Sequence, residues 1–231
     1  MNIKGIYKTS LIDYPGKICS IIFIGGCNLR CRYCHNPDLA TDSKDLRIYT
    51  NEETLNFLRK RQGLIDGITL SGGEPTLPTD LEDFIYSVKK IPLSVKIDTN
   101  GLNPDIIENL LNKKLLDYVS VDVKTSPDKY EQLVRKKIDF SRIIKTIKLL
   151  KNSAIDFEIR TTCIPDFVAL EDFQIIKNEI GKVKRYYLQQ YINKVTLDPS
   201  LQEHQPYHPS VLKKFRDFVQ TFSEICQIRG I

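Results

Sequence analysis

Short apolar segments rich in β-branched and aromatic residues keep returning along this chain, each followed by a helical pattern. That alternation limits its fold more than any other feature. The segments are KICSIIFIGG (17–26), GLIDGITLSGG (63–73), LSVKIDTNG (93–101), DYVSVDVK (117–124), IDFEIRTTCIP (155–165) and RYYLQQY (185–191). Between them Thr50 with Glu53 and Thr79 with Glu82 form capping boxes ahead of ETLNFLRKR and EDFIYSVKK. Asn103 caps a helix opening on Pro104, two more run DFSRIIKTIKLLKN and LEDFQIIKNEIG, and a last one is expected over about 209–227 with Cys226 on its apolar face. Six strands each followed by a helix, joined by right-handed crossovers, give an α/β fold with a parallel sheet, either open and doubly wound or curled into a partial barrel. In both, function sits at the carboxyl ends of the strands, where the unusual residues of this chain gather.

The chain has 231 residues, of which 41% are apolar, enough for one core. We expect a single domain over 1–231, with a core of about 17–190 and a short N-terminal extension, 1–16. The net charge of +5 comes from lysines and acids that alternate along most of the chain, so nothing points to a nucleic-acid partner. No apolar run approaches the ~20 residues of a membrane span, and the N-terminus lacks the apolar core of a signal peptide. A cytoplasmic protein with no membrane partner is expected. In a reducing compartment, six cysteines with a tight cluster among them suggest metal binding rather than disulfides.

That cluster is GGCNLRCRYCHNP, in which Cys27, Cys31 and Cys34 follow the first strand in a C-x3-C-x2-C run. Three thiolates within eight residues can wrap a soft metal or one face of a metal cluster. A structural zinc would need a fourth ligand, and His35, directly after Cys34, is awkwardly placed to supply it. Cys19, Cys163 and Cys226 lie in apolar segments and read as small buried hydrophobes. An iron–sulfur cluster with one iron lacking a protein ligand accounts for the odd count, and an open metal position usually means chemistry.

The cysteine run, with an aromatic before its last cysteine and Gly72-Gly73-Glu74-Pro75 after the second strand, resembles the radical S-adenosylmethionine superfamily. The resemblance extends from about residue 3 to beyond residue 190. It implies a partial (β/α)6 barrel of parallel strands with helices outside, one [4Fe–4S] cluster on Cys27, Cys31 and Cys34, and S-adenosyl-L-methionine bound to the fourth iron. It also implies reductive cleavage of that cofactor to methionine and a 5′-deoxyadenosyl radical, which abstracts a hydrogen atom. Tyr33 matches the aromatic near the adenine, and His35 joins the cofactor-facing set. Gly72, Gly73 and Glu74 match the segment that receives the methionyl amino group, where glycine lets backbone approach a ligand closely.

Tyr-Cys-His-Asn at 33–36 is similar to the activating enzymes of glycyl radical enzymes, including those of pyruvate formate-lyase and anaerobic ribonucleotide reductase. So are DTNG and DVK, which imply that Asp98, Thr99, Asp122 and Lys124 surround the methionyl end of the cofactor. Two acids on one rim would repel without a positive group between them, which Lys124, the sulfonium or a monovalent cation could supply. Arg160, ending the fifth strand, could reach the methionyl carboxylate or form an ordinary rim ion pair. The chain reads QQYINK, with Ile192 or Asn193, where pyruvate formate-lyase activating enzymes carry a histidine. Its opening GIYKTSLIDYPGK looks more like the anaerobic ribonucleoside-triphosphate reductase activating proteins.

The implied partners are thus a glycyl radical enzyme, with anaerobic ribonucleotide reductase foremost, and a flavodoxin or ferredoxin-type electron donor. Residues 35 to 71 hold no cysteine, so a second cluster is not expected. Three alternatives stay open: the activating enzyme of a pyruvate formate-lyase-like enzyme, a radical enzyme acting on a small molecule such as a deazapurine precursor, and a zinc-binding interaction protein.

Overall fold

The structure, a computed structural model, describes residues 1–230; Ile231, the last residue of the expected domain, lies outside them. Eight strands form one sheet in sequence order: β1 (Ile3–Ser10), β2 (Cys19–Ile24), β3 (Gly67–Gly72), β4 (Ser94–Thr99), β5 (Tyr118–Asp122), β6 (Asp156–Cys163), β7 (Val183–Gln190) and β8 (Ser223–Arg229). From β2 onward each strand is parallel to the next, as the alternation requires. The helices are α1 (Pro37–Ala40), α2 (Asn51–Lys60), α3 (Leu81–Lys89), α4 (Pro104–Asn112), α5 (Pro127–Val134), α6 (Phe140–Lys151), α7 (Leu170–Ile180) and α8 (Pro209–Val219). The architecture is a partial barrel with the six expected strands as β2–β7.

Two strands extend that set. The expected N-terminal extension is β1, which pairs antiparallel with β2 and protects its outer edge. The helix expected over 209–227 ends at Val219, and residues 223–229 pair with β7 as β8, so Cys226 is on a strand. Helical spacing at 218–226 yields here because the edge of β7 would otherwise be left unpaired, and a ladder along seven residues outweighs the local pattern. The sequence reading also passed over α5, although Ser126 followed by Pro127 at the first helical position is a start signal.

Local signals hold unevenly. The Thr50–Glu53 capping box is present in both directions. The Thr79–Glu82 box is not: α3 is entered from Asp80, and Glu82 instead accepts hydrogen bonds from Asn109 (2.6 Å) and Lys113 (2.5 Å) of the next connection. Asn103 precedes α4 without capping it, its side chain donating to Thr76 Oγ1 at 2.8 Å.

Alternate residues of β2–β6 bury Ile22, Ile24, Ile68, Leu70, Val95, Ile97, Val119, Val121 and Ile159 in one apolar cluster against the helices. At the amino ends of the strands, the β1–β2 connection folds Tyr14 against Tyr118, with ring centroids 5.9 Å apart, beside Cys19. That end is plugged, and the carboxyl ends are left to form a site.

At the carboxyl end of β3 two backbones touch. A Cβ added at Gly73 would meet the carbonyl oxygen of Gly26 at 2.0 Å, and one at Gly72, whose φ is +113°, would meet that of Ile24 at 2.6 Å. Glycine is therefore required here by the chain's own cysteine loop, whatever a ligand asks for. Gly73→Ala should destabilise the protein by about 3 kcal/mol in urea unfolding, since neither contacting atom belongs to a side chain that can turn away. A loss below about 1 kcal/mol would show that the two loops are not held in register.

Candidate functional site

The carboxyl ends of β2–β6 surround a cavity of about 470 Å³ lined by Cys27, Cys31, Cys34, Tyr33 and His35, by Gly72–Glu74, and by Asp98, Thr99, Asp122, Lys124 and Arg160. Every site residue expected from the sequence thus lines this one cavity.

The cysteine loop is fixed by its backbone. The Arg30 and Arg32 amides donate to the last carbonyls of α5, Val134 (2.9 Å) and Leu133 (3.0 Å), so the loop caps that helix. Gly26 donates to Leu39, Glu74 donates to Gly26 at 2.8 Å, and the amide of Asp198 donates to Arg32. Burial pushes the Cys31 thiol up to about 12 and raises those of Cys27 and Cys34, so metal binding must displace protons from all three. Cys19, Cys163 and Cys226 are buried in other places and line none of this cavity. Among the described residues no three His, Cys, Asp or Glu side chains gather as ligands of a single ion would. Three thiols lining one cavity, with no fourth, fit the donor set of an iron–sulfur cluster with an open position.

Glu74 differs most from a simple sequence reading. It is 1% exposed, and its carboxylate accepts four hydrogen bonds: from the amide (3.1 Å) and hydroxyl (2.5 Å) of Thr76, the Thr99 hydroxyl (2.7 Å) and the Asn100 amide (2.8 Å). Burial raises its pKa while these donors oppose the rise. Its carboxylate is therefore spent on joining the end of β3 to the end of β4. The Asn100 side chain then donates to Asn28 Oδ1 at 2.7 Å, carrying the link into the cysteine loop. Thr76, Asn100 and Asn28 were not singled out in the sequence, and only the DTNG turn hinted at one of them. Gln190 was also missed: it lines the cavity, and its buried Oε1 has no partner among the described residues.

Arg160 lies between the two acids. Its Nε is 2.8 Å from Asp122 Oδ1 and its Nη1 is 3.2 Å from Asp98 Oδ2. Lys96 pairs with the other side of Asp98, and Lys124 stands 3.4 Å from Asp122. Burial alone would push both carboxyls up, but the charges of Arg160 with Lys96 hold Asp98 down, and those of Arg160 with Lys124 hold Asp122 down. The positive group between the acids is thus Arg160, where Lys124, the sulfonium or a monovalent cation had been the expectations. Its Nε and Nη1 are engaged by the acids, and its side chain also lines the cavity.

Tyr33 is buried, with the Lys124 ammonium 6.0 Å from its ring. His35 is exposed; its Nδ1 is 2.9 Å from the carbonyl of Val195 and its ring stacks on Tyr191. Ile192 lines the cavity, while Asn193 turns away to donate to the Gln202 carbonyl at 3.1 Å.

Removing the guanidinium leaves two partly buried carboxylates facing each other. Arg160→Met should cost roughly 3 kcal/mol at pH 7.5. In the native protein the depressed acid pKa values give stability that is present above pH ~4 and lost as the pH falls through the folded-state values. In the variant one acid takes up a proton at higher pH, so the deficit relative to native should shrink as the pH falls from 7.5 to 4.5. A deficit independent of pH in denaturant titrations would contradict the pairing.

The profile of the radical SAM superfamily matches residues 21–179. A Methanocaldococcus jannaschii protein named as a glycyl-radical enzyme activating enzyme is 40% identical over 205 residues, covering 85% of this chain and 82% of that one. The pyruvate formate-lyase-activating enzyme of Clostridium pasteurianum is 31% identical over 223 residues, covering 92% and 84%. Streptococcus suis SuiB bound to S-adenosylmethionine shares the fold, with a TM-score of 0.68 at 16% identity; the match covers 91% of this chain, which spans about half (52%) of that one. The superfamily implies a [4Fe–4S] cluster and S-adenosylmethionine, and the cavity supplies the thiols and the polar rim such a pair requires. By profile and by identity, this chain belongs to the radical SAM superfamily.

Proposed function

We propose that this protein activates a glycyl radical enzyme by cleaving S-adenosyl-L-methionine with one electron and removing a Cα hydrogen atom from a glycine of that partner. The observation that carries the reading is the cavity itself, which joins the three thiols of the cysteine loop to the carboxyl ends of β3, β4, β5 and β6. The relatives named as activating enzymes supply the direction.

When bound, the cluster and its cofactor supply a primary carbon radical. The protein's residues hold and shield that chemistry. Cys27, Cys31 and Cys34 are the residues that would hold the cluster, leaving one position open to the cofactor. The Gly72–Gly73 backbone, fixed against the cysteine loop, presents its polar groups to the methionyl amino group, and Glu74 positions that backbone from behind. Asp98, Thr99, Asp122 and Lys124 form the polar wall toward the methionyl end, with Arg160 setting the separation of the acids. Tyr33 and His35 border the adenine side.

A radical of this kind reacts with whatever is nearest, so water must be excluded. The one long connection after β7 is spent elsewhere. Asp198 is bound by Arg32 and Arg135, each at 2.7 Å, the Tyr191 hydroxyl donates to the Leu201 carbonyl, and the Val195 carbonyl faces His35. This segment buttresses the cysteine loop and brings only Ile192 to the cavity. A partner that inserts its own glycine-bearing loop closes what the chain leaves open.

The opening segment GIYKTSLIDYPGK favours anaerobic ribonucleoside-triphosphate reductase as that partner. Likeness to the Clostridium pasteurianum enzyme along 92% of the chain supports a pyruvate formate-lyase-like partner as the second reading. Oxygen-free protein, reconstituted and mixed with S-adenosylmethionine, a strong reductant and each candidate enzyme in turn, should yield a glycyl radical signal in electron paramagnetic resonance with one of them. Cys31→Ala should abolish both the signal and the cluster absorbance. Cofactor cleavage with no glycyl signal from any candidate would favour a small-molecule substrate, and zinc without sulfide would end the radical reading.

A further inference from the structure

A second cavity, of about 520 Å³, opens beside the first and shares Gln189, Arg229 and Gly230 with it. No residue of the cysteine loop lines it, so whatever fills it sits away from the thiols. The ends of β6, β7 and β8 border both cavities with one row of side chains. Thr162 is in register with Gln189, and Gln189 with Arg229. Strand alternation puts all three on the face that carries Asp122 and Arg160, one step nearer the carboxyl ends.

The two rows differ in what they leave free. Asp122 and Arg160 are spent on each other and on their charged neighbours. Thr161 and Gln190, on the opposite face, are spent on the protein as well: the Thr161 hydroxyl donates to the Val123 carbonyl at 2.6 Å and the Gln190 amide to the Tyr207 carbonyl at 2.7 Å. Thr162 and Gln189 are half-buried, and among the described residues the hydroxyl of the one and the amide of the other have no hydrogen-bond partner. Arg229 is held in place. Its guanidinium lies 3.5 Å from the centre of the Tyr187 ring and meets the Glu158 carboxylate at 3.0 and 3.1 Å, which uses only part of its donor set.

Glycine offers no side chain to recognise. A site that selects one glycine of a partner must read the peptide groups around it, each of which presents an N–H and a C=O. A glutamine amide carries the complementary pair, and an arginine adds fixed donors for a neighbouring carbonyl. Resting on the radical reading above, we propose that Gln189 and Arg229, with Thr162 beside them, are the specificity-determining residues that hold the backbone of the partner's glycine-bearing loop. The loop lies in the second cavity and brings its glycine to the edge of the first. Two hydrogen bonds to one peptide group fix its orientation, and with it the direction of the adjacent Cα–H.

The test uses Gln189→Leu, which keeps the bulk of the side chain and breaks no hydrogen bond within the described protein, and Arg229→Lys, which keeps a cation beside Glu158 but loses the planar fork. The probe is a synthetic peptide carrying the glycine-bearing loop of each candidate partner enzyme, titrated into reconstituted protein with S-adenosylmethionine already bound. One of the peptides should bind the native protein, with a Kd at least about tenfold weaker in each variant. Cluster absorbance and cofactor affinity should be native in Gln189→Leu. Native peptide affinity in either variant would overturn the proposal, and so would failure of the native protein to bind any of the peptides. Weakened cofactor affinity in Gln189→Leu would overturn it too, since the row would then belong to the cofactor. Dithionite-driven cofactor cleavage by the native protein tests the radical reading separately: its absence counts against that reading, whereas the titrations decide the role of this row.

Discussion

The Glu74 carboxylate is the constraint on which the rest of the site depends. A charged group that is 1% exposed is tolerated only when its lone pairs are filled, and here four donors fill them. Those donors come from the residues after β3 and from the end of β4, so the charge cannot be satisfied unless both loops are in place. Asn100 extends the requirement to Asn28, and the close contact of Gly73 with Gly26 leaves no slack between them. Three loops distant in sequence are thereby set by one buried carboxylate. The thiols and the cavity wall inherit their positions from it.

A second buried system carries the charge of the cavity. Lys96, Asp98, Arg160, Asp122 and Lys124 alternate in sign across three neighbouring strands, so that each charge leaving water finds an opposite one. Arg160 is shared between two acids and, with Lys96 and Lys124, holds both below the usual carboxylate range. A row of this kind is stiff. It presents polar groups to a ligand without needing to rearrange, which is the condition for holding a reactive species at a fixed distance from its target.

Much of this was legible in the sequence because it is local. Strand-then-helix periodicity located β2–β7, Thr50 with Glu53 signalled a capping box that forms, and the cysteine spacing with Gly72–Glu74 marked the cavity wall. What was hidden depends on tertiary pairing. β8 lies where helical spacing continues past Val219, and only the free edge of β7 makes it a strand. Thr79 with Glu82 has the letters of a capping box, but Asn109 and Lys113, brought close by α4 packing beside α3, take the glutamate. The partners of Glu74 and Arg160 lie on other strands, so neither residue's role can be read from its neighbours in the chain.

The central claim is that a buried carboxylate assembles the cofactor site without touching the cluster. Calorimetric titration of S-adenosylmethionine into reconstituted Glu74→Gln, on a sample whose cluster absorbance is recorded beforehand, tests it most directly. Glutamine keeps the size but puts an amide donor where Oε2 accepts from the Asn100 amide, which cannot turn away, so that side of the junction opens while Oε1 keeps its donors. The account predicts native cluster absorbance with cofactor affinity at least about tenfold weaker. Native affinity in that variant would contradict it.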